Sequence, residues 1–195
     1  ASFNQKTKMK VFTWKGERDT IMTPLDSIRY YKHFLQSGLM AMEPQTGSIK
    51  AWVGGINYKY FQYDHVGQGA RQVGSTFKPF VYATAIEQLN MSPCDTIVDG
   101  PFMIRKGRHH VTEDWEPRNS NNSYRGMVTL KQGLANSINT ISAKLIDKTG
   151  PEAVVEMTHK LGVTSEIPVQ PSIALGAVDI TVQDMVAAYS TFANQ

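Results

Sequence analysis

The sequence has 195 residues, 41% of them hydrophobic and 10% aromatic, which suits one large or two small domains with a real core and excludes a disordered chain. Its net charge of +3 comes from scattered Lys and Arg; the one dense cluster, Arg105-Lys106-Gly107-Arg108-His109-His110, reads as a solvated hairpin or loop and not as a nucleic-acid face. The single Cys94 excludes an internal disulfide, no apolar run is long enough to span a membrane, and His109 and His110 lack partners at metal-ligand spacing, so neither a metal nor a cofactor is expected.

In chain order, residues 1–22 are polar and basic, with a strand expected over residues 9–14 and a turn at Lys15-Gly16-Glu17. Thr23-Pro24-Leu25-Asp26 supplies an N-cap, a proline at the first helical position and an early acidic residue. It opens a helix whose stripe Ile28, Tyr31, Leu35 runs on to Gly38. Residues 39–43 and 48–53 flank Pro44-Gln45-Thr46-Gly47 as an antiparallel hairpin. Residues 56–69 form a loop whose aromatics Tyr58, Tyr60, Phe61 and Tyr63 pack locally. A helix opening near Ser75 and reaching about Asn90 carries the stripe Phe77, Phe80, Val81, Ala85, Leu89. Turns at Ser92-Pro93 and Asp99-Gly100-Pro101 precede a small hairpin over residues 102–112 and an irregular loop over residues 113–126. Thr129-Leu130-Lys131-Gln132 is a capping box for a helix to Asn136, and a second helix spans residues 139–149. Gly150-Pro151 starts a third, with Ala153, Val154, Met157 and Leu161 apolar. A last helix begins near Thr181, with Met185, Ala188, Tyr189 and Phe192 as core positions.

Within this frame, Gly74-Ser75-Thr76-Phe77-Lys78-Pro79-Phe80 sets a hydroxyl and an amine on one helical face, shared with Tyr82 and separate from the apolar stripe. Serine is a poor nucleophile unless a base removes its proton. Lysine does so only when neutral; its ordinary pKa of about 10.4 requires a lowering of about 3 units, roughly 4 kcal/mol, to work near neutrality. A helix N-terminus supplies at most about 2 kcal/mol, so Lys78 is expected to be desolvated.

Ser75-Thr76-Phe77-Lys78, followed 62 residues after Ser75 by Ser137-Ile138-Asn139, resembles the penicillin-binding transpeptidase domain of bifunctional class A penicillin-binding proteins. The resemblance extends through Phe12-Thr13-Trp14, Thr23-Pro24-Leu25-Asp26-Ser27-Ile28, Glu43-Pro44-Gln45-Thr46-Gly47, Trp115-Glu116-Pro117-Arg118-Asn119, Ala174-Leu175-Gly176 and Ala188-Tyr189-Ser190-Thr191-Phe192-Ala193-Asn194, nearly the whole chain. It implies an α+β fold of the serine β-lactamase and penicillin-binding transpeptidase type, an antiparallel sheet flanked by helices. Residues 1–38 would be a linker strand and entry helix, and residues 39–195 the N-terminal and helical part of the domain, incomplete for want of its C-terminal strands.

The same resemblance implies that Ser75 is acylated by a peptidoglycan stem peptide ending in D-Ala-D-Ala, or by a β-lactam. Lys78 would be its base and Ser137 the relay to the leaving group; Asn139 would bind the substrate amide and steady Lys78; the Ser75 backbone N–H would be half of the oxyanion hole. It implies as partners an upstream glycosyltransferase domain and membrane anchor, with the catalytic domain on the outer side of the bacterial inner membrane, and no nucleic acid. Lys148-Thr149-Gly150 spells the family's third motif but starts only nine residues after Asn139, before Pro151, and is read as a helix C-cap. Two other readings stay open. A serine β-lactamase would need a deacylating Glu-x-x-Leu-Asn pattern, from which Glu166-Ile167-Pro168-Val169-Gln170 departs. A non-catalytic β-lactam sensor or scaffold would have no reason to keep Ser75, Lys78, Ser137 and Asn139.

Overall fold

A computed structural model describes residues 2–194; Ala1 and Gln195, expected in the leading arm and beyond the last helix, lie outside them. Strand β1 (Thr7–Thr13) pairs antiparallel with β2 (Gly16–Met22) in unbroken register, from Thr7↔Met22 to Thr13↔Gly16. β2 is absent from the sequence reading because Gly16-Glu17-Arg18-Asp19 shows no apolar alternation. Its extended state comes from the ladder bonds to β1, and Gly16 turns the chain at φ 111°.

Helix α1 (Pro24–Lys32) opens as expected, with the Asp26 N–H donating to Thr23 Oγ1 at 3.0 Å. It stops at Lys32, short of Gly38, and Leu35 is 87% exposed. What α1 covers is aromatic: Phe12 is 5.2 Å from Phe34, 5.5 Å from Phe61 and 5.9 Å from Tyr60, and Tyr31 stacks on Tyr60. Tyr60 and Phe61 therefore pack on a distant part of the chain instead of locally; Tyr63, though exposed, does meet its neighbour His65, and Tyr58 is exposed.

β3 (Leu39–Met42) and β4 (Ile49–Val53) form the expected hairpin, with an irregularity at Ala41/Met42. β5 (Arg71–Gln72) leads into a 3-10 turn, Gly74–Phe77, and then α2 (Lys78–Leu89), closed by Asn90 in the left-handed conformation. β6 (Thr96–Asp99) pairs with β7 (Gly126–Thr129). β7 runs into α3 (Leu130–Ala135), whose Thr129/Gln132 capping box is present in both directions. α4 (Asn139–Thr149) and α5 (Pro151–Lys160) follow, and β8 (Asp179–Ile180) pairs with β5 ahead of α6 (Val182–Asn194). The architecture is α+β, with the antiparallel pairs among the described residues distributed over four two-stranded ladders beside the helices.

The hairpin expected over residues 102–112 does not form. A single bridge joins Ile104 to Trp115, a 3-10 turn covers Arg108–His110, and Asp114 holds the segment by accepting from the Lys106 N–H at 2.8 Å and from Arg105 at 3.0 Å. The turn at Lys106-Gly107 is kept, the Arg108 N–H donating to Arg105 O at 3.1 Å, but beyond it the 3-10 turn and the Asp114 contacts replace strand pairing.

At the centre lies α2. Phe77, Phe80, Val81 and Ala85 are fully buried together with Ile141, Leu145 and Ile146 of α4 and Val154 of α5. The stripe ends sooner than expected, since Leu89 is 37% exposed. In α6 only Ala188 of the expected core positions is fully buried; Tyr189 meets Phe80 edge to face and Phe192 meets it at a tilt, and both remain partly exposed. The polar face drawn from Lys78 and Tyr82 is buried as well, because the first two turns of α2 are enclosed while its last turn, from Ile86, is exposed.

Gly133 lets α3 approach α2 and α4: a Cβ there would lie 2.7 Å from Tyr82 Oη and 3.1 Å from Ile141 Cγ2. Gly133→Ala is expected to destabilise by about 1–3 kcal/mol through overpacking. In a Tyr82→Phe background most of that cost should vanish, leaving a coupling of about 1 kcal/mol in a double-mutant cycle by urea denaturation. Additive effects would mean that the hydroxyl is not the obstacle.

Candidate active site

The 3-10 turn that carries Ser75 is held from behind. The Val73 N–H donates to Val178 O and the Gly74 N–H to Gly176 O, each at 3.1 Å, and Tyr189 Oη donates to Thr76 O at 2.7 Å. The approach at Gly176 is so close that a Cβ there would sit 1.8 Å from Gly74 O. Phe77 anchors the turn in the core, while Ser75 is exposed. Ser75 thus precedes α2 instead of belonging to it, and its carbonyl accepts the Lys78 N–H. The Ser75 hydroxyl makes no hydrogen bond among the described residues. Its N–H lies in a first turn, where helical geometry offers no acceptor.

One turn further, Lys78 is 1% exposed. Its Nζ donates to Ser137 O at 2.7 Å, Ser137 Oγ at 3.0 Å and Asn139 Oδ1 at 2.7 Å, which uses all three protons of an ammonium. Burial pushes its pKa down to about 8. The three bonds favour the charged form, yet desolvation outweighs them because the ammonium has left water.

Ser137 sits between α3 and α4 with φ 53°, a left-handed conformation uncommon for a residue with a Cβ. The cause is the way α3 ends. The Ser137 N–H donates to Leu134 O and the Ile138 N–H to Gly133 O, each at 2.9 Å, which is the Schellman pattern that ordinarily takes glycine at this place. A serine here costs about 1–3 kcal/mol and turns its hydroxyl and its carbonyl to Lys78.

The wall is completed from a distance. Asn139 Nδ2 donates to Arg118 O at 2.9 Å, and because that carbonyl only accepts while the ammonium only donates, the orientation of the amide is unambiguous. Asn119 Oδ1 accepts from the Asn139 and Thr140 N–H groups at 3.1 and 3.2 Å, and Asn119 Nδ2 donates to the buried Asp99. A polar cavity of about 220 Å³ opens beside Ser137, lined in part by Asn119, Ser120, Asn136 and Arg125.

Lys78, Ser137 and Asn139 are therefore in mutual contact, and Ser75 stands exposed one turn from Lys78. Asn119 and Gly176 enter through segments singled out in the sequence only as landmarks, and Asp99 only as part of a turn. Lys148-Thr149-Gly150 ends α4, where the Gly150 N–H donates to Ile146 O at 2.8 Å. It lies at the opposite end of an 11-residue helix from Asn139, about 15 Å along its axis. Among the described residues no group of three or more His, Cys, Asp or Glu side chains is placed to hold a metal ion.

Ser137→Gly is expected to raise stability by about 1 kcal/mol by relieving the left-handed serine, measured as a shift in the urea midpoint. A destabilised Ser137→Gly would show that the hydroxyl contact with Lys78 outweighs the backbone strain.

Comparison with known proteins identifies relatives of the chain. A family profile described as the penicillin-binding protein transpeptidase domain matches residues 37–195, and one described as the penicillin-binding protein middle domain matches residues 1–35. Penicillin-binding protein 1A of Aquifex aeolicus (strain VF5) is 38% identical over 162 residues, 82% of this chain and 22% of its own length. The protein of the same name from Neisseria flavescens is 34% identical over 181 residues, 92% of this chain and 22% of its own. The crystal structure of penicillin-binding protein 1A from Haemophilus influenzae overlays with a TM-score of 0.76 at 32% identity, covering 82% of this chain and 23% of that one. Penicillin-binding protein PonA1 of Mycobacterium tuberculosis shares the fold at 24% identity, with a TM-score of 0.68, covering 87% of this chain and 46% of that one. The chain spans about a fifth of the length of the curated relatives it matches.

Proposed function

The chain belongs to the penicillin-binding protein transpeptidase family, and we propose that it supplies the serine acyl-transfer site of an enzyme that cross-links peptidoglycan stem peptides and is blocked by β-lactams. The observation that carries the reading is the buried Lys78, held by Ser137 and Asn139 one turn from the exposed Ser75. A structure of PonA1, which shares the fold, is in complex with penicillin V.

The chemistry follows from the bonding capacity of the groups. Neutral Lys78 has two N–H bonds and one lone pair. Ser137 O and Asn139 Oδ1 only accept, so they hold the two N–H bonds and leave the lone pair for a hydroxyl. Ser75 Oγ attacks the carbonyl of the penultimate D-Ala and passes its proton to Lys78. The Ser75 N–H faces the oxyanion that forms. Ser137 Oγ, 3.0 Å from Nζ, accepts from the ammonium and donates to the departing D-Ala amine, so the C–N bond breaks as the proton arrives. An amine of a neighbouring stem then attacks the ester and returns Ser75 to its hydroxyl form. The Nδ2 hydrogen of Asn139 not given to Arg118 O is free for the substrate amide.

The division of the chain near residue 38, into a linker segment and the transpeptidase part, belongs to the same proposal, as does an enzyme held to the outer face of the inner membrane by another part of the protein. Among the described residues no helix is long and apolar enough to cross a membrane.

In the full-length protein, a fluorescent penicillin is expected to label Ser75 and to form a long-lived adduct. Ser75→Ala should remove the label; labelling that persists would sink the assignment, and rapid release of hydrolysed drug would mark a β-lactamase. The acylation rate should rise with pH and level off above a midpoint near 8, because the lowered pKa of Lys78 leaves it protonated below that value and neutral above it. A flat profile from about pH 6 to 10 would exclude Lys78 as the base.

A further inference from the structure

We propose that Asn119, anchored by the buried Asp99, is a positioning residue that sets the Ser137–Asn139 wall against Lys78. This rests on the acyl-transfer reading above. Helix α4 begins without a cap of its own: Ile138 stands at its N-cap position and offers no side-chain acceptor to the first N–H groups. Asn119, 8% exposed and 20 residues earlier in the chain, fills that role by accepting from the Asn139 and Thr140 N–H groups. Its Nδ2 donates to Asp99 Oδ1 at 2.8 Å and to Ser123 O at 2.9 Å, so all four of its hydrogen-bonding positions are used.

Asp99 is 2% exposed and fixes the other end. It accepts from Asn119, from Thr140 Oγ1 at 2.5 Å and, through Oδ2, from the Arg125 N–H at 2.9 Å. Burial raises its pKa, but those donors outweigh it and hold the carboxyl below its ordinary value, so it stays an anion. Only an amide suits position 119, because it must donate to a carboxylate on one side and accept from two N–H groups on the other. The neighbouring Arg118 carbonyl then takes the Asn139 amide hydrogen and turns Oδ1 onto Lys78. One tether thus sets both the placement of α4 and the rotation of Asn139.

The test uses the full-length protein and fluorescent penicillin, with rates expressed per folded molecule. Asn119→Ala is expected to slow acylation about 10–100-fold, as a displacement of about 1 Å does, and to move the pH midpoint away from its native value. Where Asn119→Ala does not fold, Asn119→Asp carries the test: it keeps the shape and removes the donors that face Asp99 and Ser123. The control is Asp184→Asn, which disturbs an equally buried carboxylate network at Thr164 and Ser165, away from Lys78. It should lower stability and leave rate and midpoint unchanged. Native rate and midpoint in the Asn119 variants, or a loss that follows folded fraction alone at an unchanged midpoint, would overturn the proposal. Labelling that survives Ser75→Ala would instead overturn the acyl-transfer reading itself.

Discussion

Everything near the site depends on one amine held out of water. Removing an ammonium from solvent is costly, and the folded chain offsets that cost by giving the buried Lys78 three acceptors from a single short segment. Desolvation still prevails, and the pKa falls to about 8. The same burial that opposes the charge makes a neutral amine accessible at moderate pH, so a local penalty in stability and a chemical capability have one origin.

Keeping that geometry requires three chain segments to meet at less than ordinary separation. Gly176 lies against Gly74 so tightly that no side chain fits, which holds the Ser75 turn from behind. Gly133 does the same for α3 against Tyr82 and Ile141. Ser137 is the reverse case: its backbone conformation favours glycine, yet it carries a hydroxyl, and that hydroxyl is bonded to Lys78. Where an energetically unfavourable residue occupies a position that glycine would fill freely, its side chain is the physical reason to look for a function.

Strand pairing divides the fold along different lines from helix formation. The helices were legible because caps and apolar steps act within a few residues: Thr23 for α1, the Thr129/Gln132 box for α3, Gly150-Pro151 for α5. The hairpin β3–β4 was legible for the same reason, its turn lying between its strands. β5 with β8, and β6 with β7, were not, because Arg71–Gln72 is far in sequence from Asp179–Ile180 and neither short strand shows a period of its own. The end of α1 and the loss of the hairpin over residues 102–112 were likewise decided by partners elsewhere, the Phe12 aromatic cluster and Asp114.

The sequence by itself determined the types and approximate extents of the helices, the β3–β4 hairpin, and the presence of Ser75, Lys78, Ser137 and Asn139 in motifs that resemble a known family. The desolvation expected of Lys78 is realised by its burial, and tertiary structure alone decided that Ser75 stands on a 3-10 turn ahead of α2 and that Ser137 meets Lys78 across 59 positions of chain. It also brought in Asp99 and Asn119, whose contacts with α4 span 41 and 20 positions. The reason is the range of the forces: caps and periodicity are written in neighbouring residues, whereas burial and hydrogen bonding between distant segments exist only once the core around α2 has closed.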